Sequence, residues 1–295
     1  MKSYIDLHMH SLYSDDGEYT PIQLVDMCEK AGVKIMAIAD HNWVKAVAEA
    51  KQYSQEKGMI CIPAIEIDCQ YKGINLHVVG YGIDDKNPVF NQLGENILKQ
   101  ELSCSLKKLE LTNQLGFELT KAQLDELSDN GVYTGEMFGE ALLKDPRYRD
   151  HELLKPYREG GKRSDNPFVN FYWDYYAQGK PCYTEIKFPS LEETVQLIHD
   201  NGGVAILAHP GNNLKGKFEI FDEMVEKGID GVECFSSYHQ SEVNDYFYHK
   251  AKELGVLYTC GSDFHGKTKP AIELGGNGCY CPQEIEDNLK KYHLF

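Results

Sequence analysis

The chain has 295 residues, 42% hydrophobic and 26% charged, the balance of a soluble globular protein with room for one large α/β domain or one such domain carrying an insertion. Thirty basic against 46 acidic residues leave a formal charge of −16, which argues against binding long nucleic acid but not against a small anionic substrate held by metal ions. No apolar run approaches a bilayer-spanning length, and Met1-Lys2-Ser3-Tyr4-Ile5-Asp6 lacks the apolar core of an export signal, so a cytoplasmic location with no membrane partner is expected.

The first strand-like segment is Tyr4-Ile5-Asp6-Leu7-His8-Met9-His10. Alternate side chains of a strand point the same way, so Asp6, His8 and His10 share one face, two imidazoles with a carboxylate behind them. Alone, such a pair also fits a polar strand edge facing water. Thr20-Pro21 then opens a helix, Thr20 as its cap and Pro21 at the first helical position, with Leu24, Val25 and Cys28 on one face and Gly32 as its stop. Lys34 to Ala39 reads as a buried parallel strand, Val44 to Lys57 as a helix, and Met59–Ile67 and Ile74–Ile83 as strands.

The alternation breaks after Pro88. From about residue 90 to 179 helical periodicity dominates: Leu98, Leu102, Leu106, Leu109 and Leu115, then Leu124, Leu127 and Met137 to Leu143, ending in a tyrosine-rich helix from Phe168 to Tyr176. Between Pro146 and Pro167 the chain turns polar and carries all four arginines, Arg147, Arg149, Arg158 and Arg163. A solvated loop accounts for this stretch as well as a bidentate phosphate clamp does.

Alternation resumes at Tyr183. Ser190 with Glu193 forms a capping box, and Gly202-Gly203 ends the helix it opens. Val204–Ala208, Gly231–Phe235 and Val256–Cys260 read as strands, separated by helices at Phe218–Lys227 and Glu242–Leu254. Repeated βα units favour a parallel sheet or barrel, with the chemistry at the carboxyl ends of the strands. Residues 1–89 with 180–295 are therefore expected to form the α/β domain, and 90–179 a helical insertion. Of the nine cysteines, Cys28, Cys61, Cys69, Cys104, Cys182, Cys234 and Cys260 read as reduced, mostly buried small residues. Cys279-Tyr280-Cys281 lacks the second cysteine pair of a zinc site and fits an ordinary strand better.

Candidate ligands fall where the strand-end rule puts them. His8 and His10 end the first strand, Asp40-His41 follows Ala39, Glu66 ends the run from Met59, His77 interrupts Ile74–Val79, His209-Pro210 follows Ala208, and Asp263-Phe264-His265 follows Cys260. Each has an ordinary structural explanation taken singly, but six of the eleven histidines at strand ends do not. The other five, His151, His199, His239, His249 and His293, have surface roles in helices or loops. A histidine-rich, carboxylate-containing, cysteine-free set suits Zn, Mn or Fe and is too nitrogen-rich for Mg or Ca alone. It exceeds one ion's coordination, so two or three divalent metals are expected, suited to an in-line displacement at phosphorus.

These motifs, Asp6-Leu7-His8-Met9-His10-Ser11, Ala39-Asp40-His41, Glu66, His77, His209-Pro210 and Gly261-Ser262-Asp263-Phe264-His265, resemble the PHP (polymerase and histidinol phosphatase) superfamily in type and order. The nearest resemblance is to stand-alone phosphoesterases with a helical insertion, some of which cleave nucleoside 3′,5′-bisphosphates or trim short RNA. The resemblance implies a distorted (β/α)7 barrel with a trinuclear centre whose ligands are His8, His10, an aspartate of Ser14-Asp15-Asp16-Gly17, His41, Glu66, His77, His209, Asp263 and His265. Counting back from Gly17 and Thr20-Pro21 selects Asp16, while counting forward from His10 in shorter relatives selects Asp15. Bisphosphate-cleaving relatives carry an Arg and a His where this chain reads Tyr133-Thr134-Gly135-Glu136-Met137-Phe138, and often a basic residue near Asn212-Asn213. Arg158 and Arg163 are the candidates to hold the phosphate instead.

The expected chemistry is hydrolysis of a small phosphomonoester, such as a nucleoside 3′,5′-bisphosphate, by metal-activated hydroxide. His209 or Asp263 would serve the leaving oxygen, and Asp6 and Asp40 would orient imidazoles. The alternatives are a 5′–3′ exonuclease of short oligonucleotides and a metal-binding PHP module without catalysis. Loss of catalysis leaves missing ligands, and here every motif is filled. A C–N hydrolase on a related barrel would call for a metal-bridging lysine at a strand end, and none stands there.

Overall fold

A computed structural model describes residues 2–14, 16–128 and 130–295, so Asp15 lies outside the described residues. The chain divides into two compact units, Met1–Gly94 with Phe188–Phe295, and Glu95–Lys187.

The first unit is α/β. Its short strands β1 (Ile5–Asp6), β2 (Ile35–Met36) and β3 (Ile60–Cys61) pair in parallel, in that order. A second sheet runs in the order β4 (Ala64–Tyr71), β5 (Ile74–Tyr81), β6 (Val204–Leu207), β7 (Gly231–Ser236) and β8 (Leu257–Gly261). Beyond the named strands, parallel bridges join Met9 to Phe264 and His41 to Glu66, and the Leu7 N–H donates to the Cys260 carbonyl at 3.0 Å.

The expected parallel pairing holds for β6, β7 and β8 but not for β4 and β5, which form an antiparallel hairpin, with β6 antiparallel to β5. The hairpin follows from its connection. Only Lys72 and Gly73 separate the strands, both at positive φ (49° and 76°), the backbone of a two-residue turn whose twist matches that of its strands. The single strand expected over Met59–Ile67 is broken into β3 and β4 around Pro63, which has no N–H to give to a ladder. Cys279-Tyr280-Cys281 is not a strand: Cys281 immediately precedes the helix Pro282–Lys291, which starts on its proline.

Helices cover the sheets as their end signals dictate. Pro21–Ala31 starts at a capping box between Thr20 and Gln23 and stops at Gly32, whose φ of 84° suits glycine. Leu191–Asp200 starts at the expected Ser190–Glu193 box and buries Leu191, Val195 and Ile198. Every residue of β7 and β8 is buried, so both faces of these strands are covered. The seven cysteines read as reduced are free, and so are Cys279 and Cys281.

The second unit is helical, with Lys121–Asp125, Gly135–Lys144 and Pro167–Tyr175 alongside most of the helix Pro88–Gln114. Its core is aromatic: Phe117, Tyr133, Phe138, Phe171 and Tyr176. Leu102 and Leu106, part of the apolar periodicity in the sequence, are exposed. Among the described residues, no helix is long and apolar enough to cross a membrane.

Close packing at the β7–β8 pair provides a test of the sheet. A Cβ on Gly231 would fall 2.0 Å from the Leu257 carbonyl oxygen, so the two backbones must part to admit it. Gly231→Ala is expected to lower unfolding stability by about 1–3 kcal/mol in urea titrations.

Candidate metal centre

The segment after β1 stays extended, and Ile5, Leu7 and Met9 enter the apolar cores while His8 and His10 project from the other face, fully buried. Gly261 makes room for them: a Cβ there would lie 2.2 Å from the His8 Cβ and 2.3 Å from Glu233 Oε1. Glu66 is the hub. Its carboxylate, with no solvent exposure, lies within 3.5 Å of a ring nitrogen of His8, His10, His41, His77 and His209. The Asp263 Oδ1 adds contacts of 3.3 Å to His8 Nε2 and 2.8 Å to His10 Nε2. Asp16 Oδ2 lies 2.8 Å from His265 Nε2 and 4.0 Å from His41 Nε2.

Three overlapping clusters result, each with donor atoms within 4.8 Å of one another: His10, Asp16, His41 and His265; His8, His10, Glu66 and Asp263; and His41, Glu66 and His77. The shared members are His10, His41 and Glu66. His209 joins through Glu66 and through the His8 ring, stacked on its own at 5.5 Å. The sequence-predicted donors of the described residues are thus brought together; Asp15 lies outside those residues, and Asp16 is at the cluster.

The donors fit divalent cations. His8 Nε2 and His10 Nε2 are 3.2 Å apart, each about as far from Glu66 Oε2, yet that oxygen accepts no hydrogen bond. His41 Nδ1 and His209 Nδ1 are likewise buried without a partner. Buried polar atoms are normally satisfied, so lone pairs facing one another call for positive charge between them. The outward nitrogens are held: His10 Nδ1 by Ser14 Oγ at 3.2 Å, and His265 Nδ1 by the Asp263 carbonyl at 2.7 Å, leaving both Nε2 atoms facing the cluster. Nitrogen and oxygen donors without sulfur suit Zn, Mn or Fe.

Protonation follows the same geometry. Burial pulls the His10 imidazole down, but the Asp263 and Glu66 carboxylates beside it outweigh this and raise it to about 10. His77 is raised to about 9 by Glu66 and Asp68 against the same burial. His265, where burial dominates, falls to about 4 and is neutral at pH 7. Burial opposes ionisation of Glu66, and the His8, His41 and His77 imidazoles more than compensate, holding it well below the carboxylate range.

Asp6 and Asp40, expected to orient imidazoles, touch none in any hydrogen bond of the described residues. Asp6 accepts from the Ser262 N–H (2.8 Å) and the Gly275 N–H (2.7 Å), and burial raises it to about 6 against those bonds. Asp40 accepts from the Ser11 N–H (2.6 Å) and hydroxyl (2.7 Å). Both carboxylates bind backbone N–H groups, Asp40 a serine hydroxyl as well, so they fix the loops that carry Asp263 and His10 rather than the rings. The orienting carboxylate is Glu233, whose Oε1 is 3.1 Å from His8 Nδ1 and whose Oε2 accepts the His209 N–H at 2.8 Å. A lone acid in the otherwise apolar β7 was its signal. Asp68, 3.1 Å from His77 Nε2, was equally legible, two residues from Glu66 on the same strand face. Lys269, which reaches Asp263 Oδ2 (3.2 Å) and His265 Nε2 (3.1 Å), had none.

His209 and Asp263 also hold positive φ (23° and 55°), a strained conformation for residues other than glycine. His239 is not a surface residue: its Nε2 accepts the Gly211 N–H at 3.0 Å, bracing the turn after His209. In the second unit, both candidate phosphate-holding guanidiniums are engaged. Arg158 donates to the Leu143 and Tyr148 carbonyls, and Arg163 pairs with Asp174.

The PHP domain family model matches residues 6–255. The chain belongs to the PHP family. The match ends before Asp263 and His265, which complete the clusters from beyond it. Among curated relatives, the chain is 28% identical to a 5′-3′ exoribonuclease of Haemophilus influenzae, over 94% of this chain and 95% of the relative. It is 27% identical to a 3′,5′-nucleoside bisphosphate phosphatase of Chromobacterium violaceum, over 92% and 90%. A solved structure of an amidohydrolase from Chromobacterium violaceum, with bound sulfate and no metal, superimposes with a TM-score of 0.79 at 23% identity, covering 97% of each chain, and supports the α/β fold.

Two outcomes follow for this PHP protein. Glu233→Gln, which weakens the hold on His8, is expected to lower divalent-metal affinity about 10–100-fold in competition titrations with a chelating dye. Because His10 and His77 carry protons at neutral pH in the metal-free protein and ligate only when neutral, loading with Mn²⁺ or Zn²⁺ at pH 7.5 releases protons. Calorimetry in buffers of different ionisation enthalpy measures that release.

Proposed function

We propose that this PHP protein hydrolyses a small phosphomonoester, such as a nucleoside 3′,5′-bisphosphate, at a centre of two or three divalent ions, Mn, Zn or Fe. The observation that carries the reading is the buried Glu66 carboxylate surrounded by five imidazoles, with Asp263 in the same donor cluster and Asp16 in the neighbouring one that shares His10 and His41. The residues that would hold the ions are His8, His10, Asp16, His41, Glu66, His77, His209, Asp263 and His265. Bound there, divalent ions lower the pKa of water towards neutrality and neutralise charge on phosphoryl oxygens.

The protein's own groups do the positioning. Glu233 aims His8, Ser14 aims His10, and the Asp263 carbonyl aims His265. Both Asp263 oxygens are engaged, by His10 and by Lys269, so of the two candidates we assign proton delivery to the leaving oxygen to His209, in a state in which the other eight residues hold the ions and His209 does not. The Met9–Phe264 and His41–Glu66 bridges support reading the two sheets as one distorted barrel, seven-stranded when β3 and β4 are counted as the one strand broken at Pro63, as the PHP resemblance implies. A cytoplasmic enzyme acting on a soluble substrate is consistent with this reading.

A second reading, release of nucleotides from the 5′ end of short RNA, is favoured by the exoribonuclease relative. The −16 charge argues against long RNA in either case.

Phosphate release should be measured from a panel containing nucleoside 3′,5′-bisphosphates, histidinol phosphate and 5′-phosphorylated RNA trimers to pentamers. The expected result is release from a bisphosphate above the trimers, abolished by chelation and restored by Mn²⁺. His10→Ala should lower kcat/KM by more than the about 100-fold that loss of a supporting residue costs. Undiminished turnover by metal-free protein would sink the mechanism, and faster turnover of the RNA would select the second reading.

A further inference from the structure

The unit that contains the donor clusters has no arginine, since all four lie between residues 147 and 163. Apart from the histidines of the clusters themselves, any side-chain cation of that unit that meets an anionic group there is therefore a lysine. Lys269 puts its ammonium there, 3.2 Å from Asp263 Oδ2 and 3.1 Å from His265 Nε2, with the Tyr238 ring 5.2 Å away.

Its position is built by the loop that carries it. Gly266 adopts φ 81° against Glu18, where a Cβ would fall 2.4 Å from the carboxylate. The Lys267 N–H donates to Glu18 Oε2 at 2.7 Å, the Thr268 hydroxyl donates to the Asp16 carbonyl at 2.6 Å, and the Lys269 N–H closes the turn onto Gly266. The loop is thus tied to the acidic turn that brings Asp16 to the clusters.

Lys269 is also placed differently from an interior counter-ion. Its side chain is 22% exposed, whereas those of Asp263 and His265 are 4% and 0% exposed, so this side chain, unlike its two partners, borders solvent. An ammonium has three N–H donors, and Asp263 Oδ2 occupies one. The contact with His265 uses the Nε2 lone pair, because Nδ1 is bound to the Asp263 carbonyl. That lone pair cannot serve both the ammonium and the ligand role assigned to His265. With the His265 contact given up, Lys269 would keep Asp263 and have two N–H groups to offer an anion.

We propose that Lys269 holds the phosphoryl oxygens of the substrate, anchored by Asp263 at the solvent edge of the clusters; this rests on the phosphomonoesterase reading above. The alternative is a purely structural lysine that neutralises Asp263.

The test uses the full-length Mn²⁺-loaded protein and inorganic phosphate as probe, with binding followed by calorimetry and metal content by elemental analysis. A charge-assisted hydrogen bond is the interaction at stake, so Lys269→Met should weaken phosphate binding about 10–100-fold with metal content unchanged. Lys269→Arg should recover most of the loss, and KM for a phosphomonoester should rise in Lys269→Met more than kcat falls. Unchanged phosphate affinity in Lys269→Met overturns the proposal. So does loss of metal in Lys269→Met with retention in Lys269→Arg, the result of a structural counter-ion. Wild-type protein that holds its metal yet neither binds phosphate nor turns over any phosphoester refutes the underlying reading, and this one with it. Wild-type turnover with an indifferent Lys269 refutes this one alone.

Discussion

A carboxylate with no access to water must find its positive charge inside the protein, and Glu66 finds it in five imidazole rings contributed by four separate segments of the chain. The rest of the first unit can be understood as what this burial requires. Strands must end together for His8, His41 and His209 to meet one residue of β4, while His77 reaches it from the middle of β5, the strand paired with β4. The backbones must also approach closely, which explains why a glycine stands at 261 beside His8 and Glu233. Without cations the cluster keeps its protons on histidine, with His10 and His77 raised well into the alkaline range. With cations the same lone pairs become ligands.

Around that hub the carboxylates divide the work by what they touch. Glu66, Asp263 and Asp16 face ring nitrogens, and Glu233 and Asp68 hold individual rings. Asp6 and Asp40 bind loop groups and never meet a ring in the described residues, although the sequence places them next to histidines. The strained backbone of His209 and Asp263 belongs to the same economy of placement: each turns sharply out of a strand, and each is held there, His209 by Glu233 and Asp263 by its N–H bond to the His8 carbonyl.

Much of this was legible in the sequence because strand alternation and strand-end placement are local rules. His8 and His10 on one face, Asp40-His41 after an apolar run, and Asp263 to His265 after another could be read without coordinates. The hairpin at Lys72-Gly73 was missed in favour of a uniformly parallel pattern, although two residues between strands leave no room for a crossover helix. The roles of Asp6 and Asp40 were misread because sequence proximity to a histidine does not say which way a carboxylate points. Lys269 was invisible for a different reason: its place depends on a loop pinned to Glu18 and Asp16, some 250 residues away in the chain. The arginine-rich stretch looked like a phosphate clamp from composition, and its guanidiniums proved to be bound to carbonyls and to Asp174 within the helical unit.

The donors around Glu66 matter most as ligands to divalent cations. Crystals grown with Mn²⁺, measured at the manganese absorption edge, locate such ions directly by anomalous scattering. The prediction is two or three peaks among His8, His10, Asp16, His41, Glu66, His77, His209, Asp263 and His265, with at least one about 2.0–2.2 Å from a Glu66 oxygen. A Mn²⁺-saturated crystal with no anomalous density beside Glu66, or with ions only at the protein surface, would contradict it.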